Sequence, residues 1–348
     1  MQRSNDTTTM TSHSASPQPL VTVLTPVYNG ERYLAQCIDS VLAQTYKNWE
    51  YCIVNNCSTD RTLSIAQAYA ARDSRVRVVT NTQFVGRQEN HNIAFREMSS
   101  NSKYCKVVHA DDWLFPECIT KMVDLAEANP TVGIVGAYGL SNGHVLWAGL
   151  PYQATVIGGR DLCKATLLDG RYVCGTPTSM LFRAEELRRR QAVYNQANQH
   201  ADHEACFDIL REWDFGFVHQ VLTYTRVHNG AASSFADRYN TFLHGILEVL
   251  SKYGPEFLTS EEYNLQMRRF WKQYYTFLGS KVFRNREKDF WAYHRNELRR
   301  LGYSLRVSRV ATAAVVEVLE LLLNPLNTMI RIATKVRQSA PSTPRAGY

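Results

Sequence analysis

No stretch of this chain reaches about 18 uninterrupted apolar residues, the length that a membrane-spanning helix needs. The nearest candidate, 310–323, is broken by Glu317 and Glu320 and reads as an amphipathic or buried helix. There is no CxxC pair among the eight cysteines, and several sit in apolar runs, such as Cys52 within Tyr51–Val54 and Cys105 before Val107. That usage excludes a disulfide framework and suits small buried hydrophobes in a reducing compartment. The first nineteen residues are rich in Ser and Thr and lack an apolar core, so no secretory signal is visible. They are expected to form a disordered tail, as is 339–348. A GxGxxG fingerprint is missing after the first apolar run, where Gly30 stands alone. Its absence excludes a dinucleotide-binding dehydrogenase and speaks against a nucleotidyltransferase with a Gly-rich phosphate loop. No internal repeat is found.

What is present is ample for folding: 348 residues, 45% hydrophobic and 20% charged, enough for one large domain and a smaller appendage. The net charge of +7 is unevenly spread. From Tyr263 onward there are 16 Lys and Arg against 5 Asp and Glu, a net +11, so the preceding chain is net −4. A basic face of this kind serves a phosphate-bearing ligand, an anionic lipid surface or simple solvation.

Short apolar runs alternate with helical patterns from Leu20 to about Tyr138. Strands are predicted at Val21–Val27, Tyr51–Val54, Val76–Thr80, Lys106–Val108 and Val132–Val135. Helices are predicted around Leu34–Leu42, over Thr62–Ala71 capped by Ser58 or Thr59, over Arg87–Met98, and from Pro116 to about Asn129. Strands alternating with helices imply an α/β fold with a largely parallel, Rossmann-like sheet covered on both faces. The chain is accordingly divided into a ligand-binding half at 20–138, a less regular half at 139–235 with loops around Gly158-Gly159 and Gly175-Thr176-Pro177, and a helical C-terminal region at 236–338.

Ligands of such sheets collect at the carboxyl ends of the strands. Three polar segments follow strands there: Pro26-Val27-Tyr28-Asn29-Gly30, Asn55-Asn56-Cys57-Ser58-Thr59-Asp60 and His109-Ala110-Asp111-Asp112-Trp113. Adjacent carboxylates on a strand-ending turn can both face the cleft, and they repel unless a cation or hydroxyls separate them. A nucleoside diphosphate with Mg²⁺ or Mn²⁺ supplies both. The alternative role for Asp111 and Asp112 is to cap the helix near Pro116. His200-Ala201-Asp202-His203-Glu204 opens a further helical pattern. Its acids suit the helix dipole or act as a general base, whereas a zinc site of His200, Asp202 and Glu204 lacks a second histidine pair. Trp113, Trp147 and Trp213 are expected in the core before a sugar-stacking platform.

The runs VTVLTPVYNG, IVNNCSTD and VVHADDWLFP resemble the family 2 glycosyltransferases of the GT-A fold, over Leu20 to Ser234. The resemblance implies transfer of a sugar from a nucleoside diphosphate to an acceptor hydroxyl with inversion. It places Pro26 and Tyr28 at the nucleotide, with the Tyr28 ring against the base, and Asn55 and Asn56 on the nucleobase, where the family usually has acids. Asp111 would hold the ribose and Asp112 a divalent cation, Mn²⁺ or Mg²⁺. Asn90 falls in an ARN-like segment. Asp202 takes the place of the catalytic base of an ED motif, with Ala201 in place of the Glu. Arg226 and His228, in Tyr224-Thr225-Arg226-Val227-His228, resemble a YRxH segment in which Arg226 meets phosphate and His228 the metal. Implied partners are a nucleotide-sugar donor, preferably uridine, and a glycan or lipid-linked acceptor in cell-surface polysaccharide synthesis. No nucleic acid is expected. A cytoplasmic location is expected, with attachment of the basic C-terminal region to an anionic membrane face left open. The rival is a degenerate sugar-nucleotide-binding scaffold, which the Asn pair keeps alive.

Overall fold

The computed structural model describes residues 18–170, 172–228, 236, 238–283 and 287–323. Of the expected tails at 1–19 and 339–348, residues 1–17 and 339–348 lie outside the described residues, as do 324–338 of the helical region. Two compact units form. The first ends at Leu162 and resumes over Tyr172–Arg226, and the second joins Cys163–Arg171 to the chain from Val227 onward.

The first unit begins with β1 (Val21–Val27), α1 (Leu34–Leu42), β2 (Trp49–Asn55), α2 (Thr62–Ala70), β3 (Val76–Thr80), α3 (Arg87–Arg96) and β4 (Tyr104–Val107). These strands lie in the order β3-β2-β1-β4, all parallel, with Val27 opposite Asn55 and Leu24 opposite Val107. Every residue of β1 is buried, as a central parallel strand with helices on both faces requires. On α1, Leu34, Cys37, Ile38 and Val41 form the buried stripe at helical spacing. The predicted cap of α2 is not made by Ser58 or Thr59. Ser58 Oγ accepts from the Asn29 amide at 3.0 Å, and the Thr59 amide donates to Asn29 Oδ1 at 2.9 Å. Both are thus used to tie the turn after β2 to the turn after β1, and Asp60 Oδ1 accepts from the Thr62 amide instead.

The chain continues through β5 (Trp113–Leu114), α4 (Cys118–Ala128), β6 (Val132–Ser141), β7 (His144–Leu146), β8 (Val156–Ile157) and α5 (Gly159–Asp169). A 3-10 turn (Pro177–Ser179) leads into β9 (Met180–Arg183), α6 (Ala184–Arg188), α7 (Ala201–Leu210) and β10 (Asp214–Tyr224). Helix α4 starts two residues after Pro116, whose carbonyl accepts from the Thr45 amide. Strand β9 inserts antiparallel between β4 and β6, and β10 runs parallel to β6 with β5 antiparallel at its edge. The architecture is a mixed α/β layer with a mostly parallel central sheet. Trp213 is half-buried, packing against Gly133 and under the Arg183 guanidinium at 4.8 Å.

The second unit is helical: α8 (Phe242–Phe257), α9 (Ser260–Lys281), α10 (Lys288–Arg300) and α11 (Val307–Leu323). Thr259 and Glu262 close a capping box on α9. Its core joins Leu243, Leu247, Leu250, Phe270, Tyr274, Leu278, Phe290, Leu298 and Val310. Gly279 lets α9 and α11 touch, since a Cβ there would fall 2.7 Å from Ala313. Arg300 clamps the Glu248 carboxylate with two bonds of 3.0 and 2.8 Å. Among the described residues, no helix is long and apolar enough to cross a membrane.

Candidate active site

The turns after β1, β2 and β4 converge at one edge of the sheet. Asn29 and Cys57 adopt positive φ at the first two, a conformation that costs most residues energy and marks tight functional turns. Gly30 is required there because a Cβ would stand 2.7 Å from Val27 Cγ2. Pro26 is buried in β1 opposite Val54. The Tyr28 ring is about half exposed and meets the exposed Phe84 ring edge-to-face at 4.8 Å. These two rings form an accessible aromatic lip beside the Asn pair.

Asn55 and Asn56 are buried, and their side chains already have partners. Asn55 Oδ1 accepts from the Ser58 amide at 3.2 Å. Asn56 Oδ1 accepts from the Val85 amide and from Asn81 Nδ2, and its own amide donates to the Val85 carbonyl at 2.8 Å. Asn81 Nδ2 also donates to Asn90 Oδ1 at 2.9 Å. Asn55, Asn56 and Asn90 are therefore brought together, but Asn56 and Asn90 are joined through Asn81, and the pair holds the 81–85 segment that carries Phe84.

Asp111 and Asp112 end the turn after β4 and do not cap α4, which has no side-chain cap. Asp112 is 3% exposed. Its carboxylate accepts from Thr178 Oγ1 at 2.7 Å and from the Arg226 amide at 2.9 Å. Burial nevertheless pushes its carboxyl up to about 6, against a smaller downward pull from His109. A buried carboxylate held short of full compensation is a fitting ligand for a cation. Lys106, wholly buried in β4, donates to the Thr178 and Met180 carbonyls and so fixes the turn that presents Thr178. Arg226 spans the site: its Nε donates to the Asp111 carbonyl at 3.0 Å and its Nη2 to Gln36 at 2.7 Å. The guanidinium lies 4.2 Å from the Tyr33 ring centroid and 5.0 Å from that of Trp113, which is itself stacked on Tyr224 at 3.7 Å. His228 belongs to the second unit.

Asp202 opens α7, and its charge reaches the half-buried Tyr172 and the buried Tyr194 phenols, adding to the desolvation that pushes both well above the usual range. The loop before it is tied to α3 by Arg87 on the Gln199 carbonyl and Gln88 on the Asn198 carbonyl. Glu204 is buried and accepts from Asn195 and Asn198. His203 stacks on Tyr172 at 3.8 Å. The donor set of His200, Asp202 and Glu204 is thus not assembled; His200, Asp202 and His203 lie together instead. His109, Asp111 and Asp112 form the other such group among the described residues.

Residues 22–203, just over half of the chain, match the model of glycosyl transferase family 2. The chain belongs to that family. This family 2 glycosyltransferase is 27% identical over 231 residues to an uncharacterized glycosyltransferase of Haemophilus influenzae, covering 62% of the chain and 68% of the relative. Among solved structures it is similar to S. aureus TarS in complex with UDP-GlcNAc, with a TM-score of 0.58 at 16% identity over 80% of this chain and 79% of that one. It is also similar to the mannosyltransferase PcManGT of Pyrobaculum calidifontis in complex with GDP-Man and Mn²⁺, with a TM-score of 0.52 at 15% identity over 88% and 87%. The fold is therefore GT-A, and the chain is a glycosyltransferase. Reading the sequence missed Phe84, Asn81, Thr178, Lys106 and Tyr172 as site residues. None lies in the three strand-end segments singled out in the sequence, and each arrives by a contact distant in sequence.

Proposed function

We propose that this glycosyltransferase moves a sugar from a nucleoside diphosphate sugar, uridine first, to an acceptor hydroxyl with inversion, using Mn²⁺ or Mg²⁺, in the synthesis of a cell-surface glycan. The observation that carries the reading is the placement of a buried, under-compensated Asp112 carboxylate beside Asp111 and Arg226 at the strand edge. When bound, the cation supplies Lewis-acid stabilisation of the diphosphate leaving group. Asp112 would hold it, with Asp111 beside it on the ribose hydroxyls. Arg226 meets phosphate charge with a guanidinium already oriented by Tyr33 and Trp113. Tyr28 and Phe84 take the base, and Asp202 removes the acceptor proton. The rival scaffold reading loses ground to Asp202, present at the head of α7. Product formation by the purified enzyme separates the two readings.

The neighbours do not fix the base, since TarS is seen with UDP-GlcNAc and PcManGT with GDP-Man. Uridine ranks first because uracil presents two carbonyl acceptors flanking its N3–H, an edge that side-chain amides can meet. Because Asn56 Oδ1 already accepts twice, Asn56 serves a uracil carbonyl better as a donor than its N3–H as an acceptor. Thymine adds only a methyl group, worth about 1–3 kcal/mol of packing. In competition against a bound donor, UDP is expected to inhibit most tightly, dTDP next and GDP least. Tighter inhibition by GDP would show that the lip reads a purine.

Helix α11 leaves Val315, Val316, Leu319, Leu322 and Leu323 exposed on one side while Val310 and Ala314 are buried on the other. With Arg306 and Arg309 at its start, that face suits attachment to an anionic lipid surface. Flotation with anionic liposomes should carry the protein at low salt and release it at high salt. An absence of binding at low salt would assign the helix to packing alone.

A further inference from the structure

His109 stands at the centre of the Asp111-Asp112 turn, and the mechanism above does not use it. Its backbone is pinned: the amide donates to Thr178 Oγ1 at 3.1 Å, and the carbonyl accepts from the Asp112 amide at 3.0 Å and from Cys37 Sγ at 3.4 Å. The ring is fixed as well. His91, buried on α3, has Nδ1 2.9 Å from the Arg87 carbonyl, which can only accept, so that nitrogen carries the proton. The His91 Nε2 of a neutral ring is then an acceptor, and it lies 3.3 Å from His109 Nε2. The proton between the two rings therefore belongs to His109 Nε2. This leaves the lone pair of neutral His109 on Nδ1, which looks across 3.8 Å at Asp112 Oδ2. That distance is too long for a hydrogen bond. It suits two ligands of one ion, which at about 2.1 Å from the metal stand roughly 3–4 Å apart. The ligand atoms of His109, Asp111 and Asp112 all lie within 4.8 Å of one another. The His109 side chain is 30% exposed, so an ion can reach it.

We propose that His109 is a protein ligand of the donor-site cation through Nδ1, held in that tautomer by His91, and that its nitrogen biases the site toward first-row ions over Mg²⁺. The inference rests on the cation-dependent reading above. A histidine that ligates through one nitrogen while its other N–H is engaged by a neighbour is the arrangement that orients and strengthens an imidazole ligand. Mg²⁺ favours oxygen donors and keeps its waters, whereas imidazole suits later first-row ions such as Co²⁺.

Titration of the purified enzyme with Mn²⁺, Co²⁺ and Mg²⁺, joined to electron spin-echo measurements on the Mn²⁺ form, tests this without reference to activity. The wild type is expected to bind Mn²⁺, with modulation from a directly bonded ¹⁴N that persists in His228→Ala. His109→Asp, which keeps an oxygen ligand, should still load Mn²⁺, lose that modulation, and narrow the Co²⁺ over Mg²⁺ preference at least tenfold. His109→Gln serves if the Asp variant does not fold, and should lose the modulation likewise. Asp112→Asn should abolish loading. If Mn²⁺ binds and Asp112→Asn removes it, but His109→Asp leaves the ¹⁴N signal and metal preference unchanged, the role of His109 is overturned while the metal site stands. If the wild type binds no divalent ion, the metal reading itself falls.

Discussion

Asp112→Asn should abolish divalent-dependent donor binding and, in the metal-free protein, melt at a higher temperature than the wild type above pH 6. The two effects have one cause. Burial raises the Asp112 carboxyl from its ordinary value of 3.8 to about 6. The native state therefore favours the protonated form. Below 3.8 the group is protonated in both states and costs nothing. Between 3.8 and 6 the unfolded chain releases its proton more readily, so native stability falls as pH rises, and above 6 the full penalty is present. A shift of this size corresponds to a penalty on the order of 3 kcal/mol. Asparagine carries no charge, keeps the acceptor for the Arg226 amide and can donate to Thr178 Oγ1, which is able to reverse its role. Thermal melts in EDTA should show the variant more stable at pH 8 and equal to the wild type near pH 4. Added Mn²⁺ should raise the wild-type midpoint and leave the variant unmoved. A variant that melts lower at pH 8, or that keeps Mn²⁺-dependent turnover, would remove Asp112 from the metal site.

The second large effect concerns Asp202. Asp202→Asn should lower turnover by about 10²-fold or more while donor affinity stays near wild type, because only the proton transfer loses its acceptor. Glu204→Gln is the control. Its carboxylate is engaged by Asn195 and Asn198 in the loop before α7, so its loss should act on stability before chemistry. The measurement is single-turnover rate alongside equilibrium donor binding for both variants. Near-normal turnover in Asp202→Asn with a collapse in Glu204→Gln would place the base two residues later in the chain.

Much of this site was legible in the sequence because its parts are local. A strand of β-branched residues followed at once by Pro26-Val27-Tyr28-Asn29-Gly30, or by Asp111-Asp112, fixes which residues leave the sheet at its carboxyl edge. Helical spacing likewise set α1 and α3, and the run of cysteines in apolar surroundings set their burial, since all eight are free and seven are buried. The reach of that reasoning ended where pairing is non-local. Nothing in Met180–Arg183 announces a strand that runs antiparallel between β4 and β6, because three apolar residues before an arginine are silent about their partners.

The Asn55-Asn56 turn shows the same limit at the level of one side chain. An amide can donate and accept in many ways, and only the arrival of Asn81 and Val85 from another loop decided that Asn56 would hold a segment in place. The sequence by itself determined the α/β alternation, the family and the strand-end placement of Asp111, Asp112 and Tyr28, since periodicity and turn chemistry act between near neighbours. The tertiary structure alone decided that Asp112 is buried beneath Thr178 and Arg226, that Phe84 faces Tyr28, and that His91 orients His109. Those features depend on groups up to 114 residues apart meeting at short range, where burial and hydrogen-bond geometry set charge and tautomer.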